Sequence, residues 1–133
     1  MNKIIKIILL LTLTLLTPLK SISANEKIRI GLLVPLTGKN AEIGHSIIKS
    51  TRLAINKINN TLIEIIPKNT ESDPNITLRS AKELSELGIK IIIGPVFNEN
   101  LEYLDELKDV TFLSLTNKGN NESKNIINAG INA

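Results

Sequence analysis

The sequence predicts an α/β fold in which an open parallel sheet is built from alternating βαβ units. Short, nearly continuous apolar runs recur along the chain, segments with helical spacing of apolar residues separate them, and turn residues mark the junctions. Continuous apolar runs are typical of strands that are covered on both faces. Strands joined through helices require right-handed crossovers and therefore a parallel sheet. The predicted architecture is Rossmann-like and flavodoxin-like.

Residues 1–24 have the three-part order of a secretory signal peptide. A lysine-containing start precedes the apolar residues 7–16, and small residues end the segment at Ala24. The apolar run is shorter than the roughly 20 residues that span a bilayer. We therefore expect cleavage after Ala24, export to the periplasm, and a mature chain of residues 25–133 that keeps no stable membrane span.

The composition excludes several classes of function. The chain has 133 residues, with 16 Lys plus Arg, 13 Asp plus Glu and no Cys. The net charge of +3 comes entirely from lysines in residues 1–24, so the mature chain is neutral and lacks the basic surface of a nucleic-acid-binding protein. Without Cys there are no disulfides, thiolate metal sites or thiol nucleophiles. The absence of Trp makes an aromatic sugar-binding platform a poor hypothesis.

The first predicted strand spans residues 27–36, where an apolar run ends at Pro35. Beyond the turn-prone residues 37–40, apolar residues recur at helical spacing and predict an amphipathic helix of about four turns. The predicted buried stripe of this helix consists of Ile43, Ile47, Ala54, Ile55 and Ile58.

The second strand is predicted at residues 62–66, stopped by Pro67. Asp73 then offers an N-cap before Pro74, and Gly88 ends the helix that follows. A third strand is predicted at residues 89–93. The remaining predicted elements are a short helix capped by Asn98 that carries Leu101, Leu104 and Leu107, a strand from Val110 to Leu115, and a fifth strand around Ile126 and Ile127.

The candidate binding site lies at the carboxyl ends of the predicted strands. In an open parallel sheet, ligands bind beyond these ends, where the strand order reverses. Thr37 and Gly38 offer a hydroxyl and a backbone N–H at a helix start, which suit a carboxylate or another anion. The candidate ligand-binding residues are Thr37, Gly38, Gly94, Pro95, Phe97, Ser114, Thr116 and Asn117. The alternative, that these residues serve only the geometry of turns, stays open.

The sequence offers no catalytic residue, metal site or cofactor motif. Five residues separate Gly38 from Gly44 where a P-loop has four, and His45 takes the place of its lysine. No Gly-x-Ser-x-Gly turn accompanies His45. Paired acids fall in predicted helices away from the strand ends, which favours solvated helix faces. A small enzyme on a flavodoxin-like sheet is therefore the disfavoured alternative.

Four short motifs occur in order along the chain. They are Pro35–Gly38, Ile43–Gly44, Gly94–Phe97 and Ser114–Asn117. With them, residues 28–119 resemble the first lobe of the type I periplasmic-binding-protein fold, which includes receptors for branched-chain amino acids. Within that family the sequence is most similar to the penicillin-binding-protein activator (LppC-like) group.

The resemblance implies an exported, non-enzymatic ligand-binding or regulatory protein of the cell envelope. In the activator role its partner is a penicillin-binding protein or peptidoglycan synthase. The alternative role is a solute receptor of an ABC transporter of the amino-acid type, with an unidentified small molecule as ligand. A truncated, non-functional remnant is a third alternative.

The sequence also departs from the family it resembles. Asn69 stands before Thr70 where relatives commonly carry Asp, and the lipid-anchoring cysteine of many members is absent. The resemblance implies two lobes with a ligand between them, whereas residues 25–133 correspond to an incomplete N-terminal lobe. Such a sheet is expected to leave an edge and an apolar surface uncovered.

Overall fold

Residues 26–117 and 123–130, together with Lys3, are described in a computed structural model of the chain. Within them, five strands and two α-helices form one α/β unit. The strands are β1 (Ile28–Val34), β2 (Ile63–Asn69), β3 (Ile91–Ile93), β4 (Thr111–Ser114) and β5 (Ile126–Asn128), and the helices are α1 (Ala41–Ile58) and α2 (Pro74–Glu86). The strands all run parallel in the order β2-β1-β3-β4-β5. The predicted fold class is therefore confirmed.

One face of the sheet, beneath α2, carries the main hydrophobic core. The register pairs Gly31 with Ile92 and Ile92 with Phe112, so these residues share that face. Ala81 and Leu84 of α2 pack against them. The core residues that are 0% exposed include Leu33, Leu84, Ile92, Leu104 and Phe112.

The opposite face is only partly covered. Helix α1 lies over β1 and β2, where Leu32 is 1% exposed. Ile43, Ala54 and Ile58 of the predicted buried stripe are exposed, Ile43 by 43% and Ile58 by 59%. Ile91 and Ile127, on the same face, are 44% and 51% exposed. The stripe is thus buried only in part, and the described sheet has the uncovered apolar surface that the sequence predicts.

Pro67 does not end β2 as predicted but lies inside it. The Thr70 N–H donates to the Val34 carbonyl across 3.0 Å. Because alternate residues of a strand point their N–H groups to the same side, the nitrogen of Pro67 faces away from β1. β2 is an edge strand, so the missing N–H of Pro67 breaks no hydrogen bond of the sheet.

The predicted start and end of α2 are confirmed. The Asp73 carboxylate accepts hydrogen bonds from the backbone N–H groups of Asn75 and Ile76, at 2.8 and 2.9 Å. Pro74 occupies the first helical position, where its missing N–H costs nothing. Gly88 follows the helix, and its N–H donates to the Ser85 carbonyl. Local capping chemistry therefore sets both ends of this helix.

The connection from β3 to β4 differs from the predicted single helix capped by Asn98. It consists of two 3₁₀ turns, Asn98–Leu101 and Leu104–Glu106. Asn98 lies inside the first turn, and Phe97 precedes it. The leucines at 101, 104 and 107 recur every three residues, which matches the three-residue turn of a 3₁₀ helix. Leu101 and Leu104 are buried in the core as their apolar character predicts.

The predicted signal peptide, residues 1–24, lies outside the described residues except for Lys3. Residue 25, residues 118–122 between β4 and β5, and residues 131–133 also lie outside them. Of the helices in the described ranges, none combines the length and the apolar character that a membrane crossing needs.

Candidate functional site

The strand order places a reversal point between β1 and β3. In the sheet, β2 pairs with one edge of β1 and β3 pairs with the other edge, so the chain reverses direction across the sheet after β2. The loops that leave the carboxyl ends of β1 and β3 therefore diverge to opposite faces and leave a crevice between them. Thr37 and Gly38 follow β1, and Gly94 and Pro95 follow β3. Four of the eight candidate residues thus lie at these two neighbouring strand ends.

Thr37 and Gly38 lie exposed in the loop that leads into α1. The Gly38 carbonyl accepts the N–H of Ala41 across 3.2 Å, which closes the turn before the helix. Asn40 occupies the N-cap position, yet its side chain makes no capping hydrogen bond and instead donates to the Ser72 hydroxyl, 3.0 Å away. The first turn of α1 therefore has no side-chain cap, an arrangement that suits an anion.

Asn69, the last residue of β2, connects the loops that follow β1 and β2. Its side-chain oxygen accepts the backbone N–H groups of Leu36 and Glu71 at 2.7 and 3.0 Å. Its amide nitrogen donates to the Thr37 hydroxyl at 2.9 Å and to the Glu71 carboxylate at 3.5 Å. One amide group therefore holds the Thr37 side chain in place beside a carboxylate.

The turn at Gly94 and Pro95 is buried and structural. A Cβ on Gly94 would lie 2.3 Å from the Leu33 carbonyl oxygen, and the Gly94 φ of +103° disfavours any other residue. The Gly94 N–H donates to the Leu113 carbonyl, and the Leu115 N–H donates to the Pro95 carbonyl. The two residues thus extend the pairing of β3 with β4 and position the loop that carries Phe97.

Three candidate residues line one open groove at the carboxyl ends of β3 and β4. Phe97, Thr116 and Asn117 meet there around a space of about 380 Å³. The other residues of the groove are Val96, Asn98, Glu99 and Leu115. The groove combines the half-buried Phe97 ring with the exposed Asn117 amide and Glu99 carboxylate, whereas Thr116 is only 6% exposed. This mixture suits contact with a partly polar ligand or protein surface.

Ser114 is fully buried and does not line this groove. Its hydroxyl accepts the backbone N–H of Thr116 at 3.3 Å, and its carbonyl accepts the N–H of Ala129 at 2.8 Å. Ser114 therefore shapes the turn after β4 and holds the segment after β5 beside it. Its hydroxyl contributes to the groove by holding the backbone of Thr116 in position.

Sequence reasoning did not choose Asn69 or Glu71 as site residues. The available signal was the departure at Asn69, where the resembled family commonly carries Asp. An amide keeps the acceptor oxygen of that carboxylate and adds a donor, which here reaches Thr37. The turn after Asn69 holds Glu71 and Ser72 at φ values of +51° and +58°, sparsely populated conformations for these residues. Two residues beside the site are thus held in unusual backbone geometry.

The described residues offer little acid-base or metal chemistry. In residues 26–117 and 123–130, no three His, Asp or Glu side chains gather to hold a metal ion. His45 is exposed on α1. A hydrogen bond from Lys68, with its positive charge, lowers the pKa of Glu83. A hydrogen bond and the charge of Glu102 raise the pKa of Tyr103. Neither Glu83 nor Tyr103 lines the groove.

An open parallel sheet that gathers polar and small residues at its carboxyl edge defines a receptor-like binding lobe. The family model described as periplasmic binding protein matches residues 27–132. The chain therefore belongs to the periplasmic binding protein family. No curated protein matches the chain significantly.

Solved structures with this fold include a regulator and solute-binding proteins. The C-domain of LpoA from Haemophilus influenzae, a regulator of PBP1A, is 23% identical over 68% of this chain, with a TM-score of 0.57. The branched-chain amino acid binding protein LivJ from Streptococcus pneumoniae, solved with isoleucine, is 18% identical over 76% of the chain, with a TM-score of 0.66.

A third similar structure is a solute binding protein of an ABC transporter from Rhodopseudomonas palustris, solved with 3,4-dihydroxybenzoic acid. It is 27% identical over 70% of this chain, with a TM-score of 0.61. The chain spans 28% of the length of the LpoA C-domain, 33% of LivJ and 28% of this third protein. These three neighbours are a regulator and two binding proteins.

Proposed function

We propose that the chain is an exported, non-enzymatic binding or regulatory lobe of the cell envelope, with a role like that of the penicillin-binding-protein activators. Family membership supports the binding role. The likeness to the LpoA C-domain, together with the four ordered sequence motifs, favours the regulatory branch. In this role the partner is a penicillin-binding protein or another peptidoglycan synthase.

The observation that carries this proposal is the open groove at the ends of β3 and β4. Phe97, Thr116 and Asn117 come from two loops and face one space. A groove of this kind presents an aromatic ring and hydrogen-bonding groups to a partner without enclosing it. Aromatic residues are enriched in protein contact sites relative to the rest of the surface.

The second candidate function is a receptor for an amino-acid solute. The Thr37 hydroxyl and the Glu71 carboxylate share the Asn69 amide, next to the uncapped start of α1. A zwitterionic amino acid presents a carboxylate for the helix start and an ammonium group for Glu71. This pairing of opposite binding groups is the specific feature that favours a solute receptor.

Both candidate functions require a second wall, which we propose is supplied by another lobe. The described residues provide one side of a crevice, and the apolar groups at Ile91 and Ile127 are half exposed. The chain spans a third or less of the neighbouring structures. A second lobe encoded with this one is the expected source of the missing wall and cover.

Export is tested by the mass of the protein recovered from the periplasm of a bacterial host. Cleavage after Ala24 leaves residues 25–133, and the measured mass identifies the cut. Recovery of the uncleaved chain in the membrane fraction would contradict the proposed export and the periplasmic location.

The activator role is tested by binding of the full-length chain to immobilised penicillin-binding proteins of the same host. Phe97→Ala is expected to weaken capture about tenfold or more, because an aromatic contact in a groove carries much of the binding energy. Leu53→Ala, at a position 63% exposed on α1, is the matched control and is expected to bind normally. Absence of capture, or an equal loss in both variants, would contradict the role.

The receptor role is tested by thermal shift of the full-length chain with a panel of free amino acids. A solute that raises the melting temperature of the native chain, but not that of Glu71→Gln, would establish the receptor alternative.

A hydrolase assay on cell-wall fragments addresses the enzyme alternative, and turnover there would overturn the non-enzymatic proposal. A chain that binds neither partner nor solute would support the remnant alternative.

A further inference from the structure

A second cavity lies between α1 and the adjoining face of β1 and β2. It has a volume of about 210 Å³ and is half open to solvent, and none of its residues belongs to the groove at the strand ends. The residues that line it are Leu32, Ile48, Thr51, Arg52, Ile55, Asn56, Ile65 and Pro67. Most of this lining is apolar, and its polar groups come from α1.

The cavity exists because α1 is held close to the sheet at one end only. A Cβ on Gly44 would lie 1.8 Å from the Pro35 carbonyl oxygen, so the start of α1 touches the loop after β1. Gly44 is the fully buried residue of this helix. One to three turns later, the inward-facing Ile48 and Ile55 are only half-buried. The space that they leave open lies above Leu32.

The sheet side of the cavity is apolar. Leu32 is 1% exposed, and Ile65 and Pro67 of the edge strand complete the sheet side. The Thr51 hydroxyl donates to the Ile47 carbonyl of its own helix at 2.8 Å, so this donor is already used. Apolar cavities of about 150 Å³ stay dry and bind benzene. Scaled from that case, the present cavity has room for an apolar chain of roughly eight heavy atoms.

The mouth of the cavity carries the cationic side chain of Arg52. Arg52 and Asn56 lie one turn apart on α1, and both side chains are exposed. Residues 48–56 contain no acid. In the part of the chain that the structure describes, the ion pairs are Lys27–Glu64, Lys68–Glu83, Lys82–Glu106 and Lys108–Asp105, and none includes Arg52.

We propose that this cavity binds a medium-chain aliphatic carboxylate of about eight carbons, with octanoate as the probe. The chain lies on Leu32, Ile55 and Ile65, and the carboxylate lies at the mouth on Arg52. A guanidinium donates two parallel hydrogen bonds to a carboxylate, and the Asn56 amide supplies a further donor. The apolar floor and the cationic rim together define an amphiphilic anion.

The test is a titration of the full-length chain with octanoate, in which binding is measured by calorimetry and by NMR of the isoleucine methyl groups. The native chain is expected to bind saturably, with shifts at Ile48, Ile55 and Ile65. Arg52→Gln is expected to weaken binding about tenfold or more. Lys49→Gln removes a positive charge from the same helix outside the cavity and is expected to leave binding unchanged. Octanol, which keeps the chain and lacks the charge, is expected to bind the native chain and R52Q alike.

Ile65→Phe fills the cavity and is expected to abolish octanoate binding, with circular dichroism confirming that the variant is folded. The proposal is overturned if the native chain shows no saturable binding. It is equally overturned if Arg52→Gln and Lys49→Gln weaken binding to the same extent, since the effect would then be general attraction to a positive helix. Binding that leaves the methyl signals of Ile48, Ile55 and Ile65 unshifted would also exclude this cavity.

Discussion

The two faces of the sheet differ in how completely they are packed. Under α2, Leu33, Ile92 and Phe112 are 0% exposed and form one continuous core with the helix. On the α1 side, Ile91 and Ile127 are about half exposed, and a cavity separates α1 from β1 and β2. The same five strands therefore support one closed layer and one open layer.

The two helices are also attached differently. Helix α2 is tied to β2 by the Ser80 hydroxyl, which donates to the Asn69 carbonyl at 2.8 Å, and by the Lys68–Glu83 ion pair. Helix α1 is anchored by its first turn, through Gly44 and the Asn40–Ser72 hydrogen bond. The α2 layer thus supplies stability, whereas the α1 layer and the strand ends leave surface for recognition.

The largest predicted difference between the faces concerns their apolar side chains. Phe112→Ala removes a fully buried ring from the α2 face, and we expect it to cost about 3–5 kcal/mol of unfolding free energy. Ile127→Ala, on the open face of the neighbouring strand, is expected to cost less than about 1 kcal/mol, because its side chain is already half exposed. Urea denaturation measures both values. Equal losses would contradict the contrast between closed and open layers.

A smaller difference is expected between two glycines at the strand ends. Gly94→Ala combines an unfavourable φ with a contact of 2.3 Å to the Leu33 carbonyl, so we expect a loss of about 3 kcal/mol or more. Gly38→Ala has a φ of +76° but no atom within 4 Å of its Cβ, so about 1–2 kcal/mol is expected. Thermal melts distinguish them. If Gly38→Ala is the worse variant, the turn after β3 is not the rigid part of the site.

A loss of about 1–2 kcal/mol is expected for Asn69→Ala, since the backbone N–H groups of Leu36 and Glu71 lose their acceptor. Asn60→Ala is the matched control, because its exposed side chain accepts a single hydrogen bond, from the Leu62 N–H. Asn69→Asp keeps the acceptor oxygen, loses the donor to Thr37 and places a second carboxylate beside that of Glu71. It is expected to recover part of the stability, as measured by urea denaturation. Equal destabilisation by the Ala and Asp variants would refute the role of that oxygen.

The parts of the fold that the sequence predicts are those with local causes. The ends of α2 follow from Asp73, Pro74 and Gly88, whose effects act within one turn. The strands and their parallel arrangement follow from apolar runs separated by helices. The end of β2 could not be predicted in this way. A proline is tolerated inside an edge strand, and the local sequence does not show that β2 lies at the edge of the sheet.

The candidate site was predictable in its position and not in its detail. Strand ends can be located from sequence, so Thr37 and Phe97 lie beyond the carboxyl ends of β1 and β3 as predicted, while their role in binding stays a prediction. Whether a hydroxyl is exposed depends on pairing across the sheet, which is why Ser114 proved fully buried. The role of Asn69 depends on contacts that span 32 and 33 residues of sequence, which no local pattern encodes.

The smallest predicted effect concerns the ion pair that ties α2 to β2. Lys68 lowers the pKa of Glu83 below its ordinary value of 4.5, so the charged carboxylate is favoured in the folded state. The resulting stabilisation is present above pH 4.5 and is lost as the pH falls through the lowered pKa of the folded protein. Glu83→Gln is therefore expected to lower the urea midpoint slightly at neutral pH, and the deficit is expected to shrink below pH 4.5. Glu86→Gln, at an exposed position of the same helix, is the control and is expected to leave the urea midpoint at neutral pH unchanged. A deficit in Glu83→Gln that stays constant with pH would mean that the ion pair does not help to close the α2 layer.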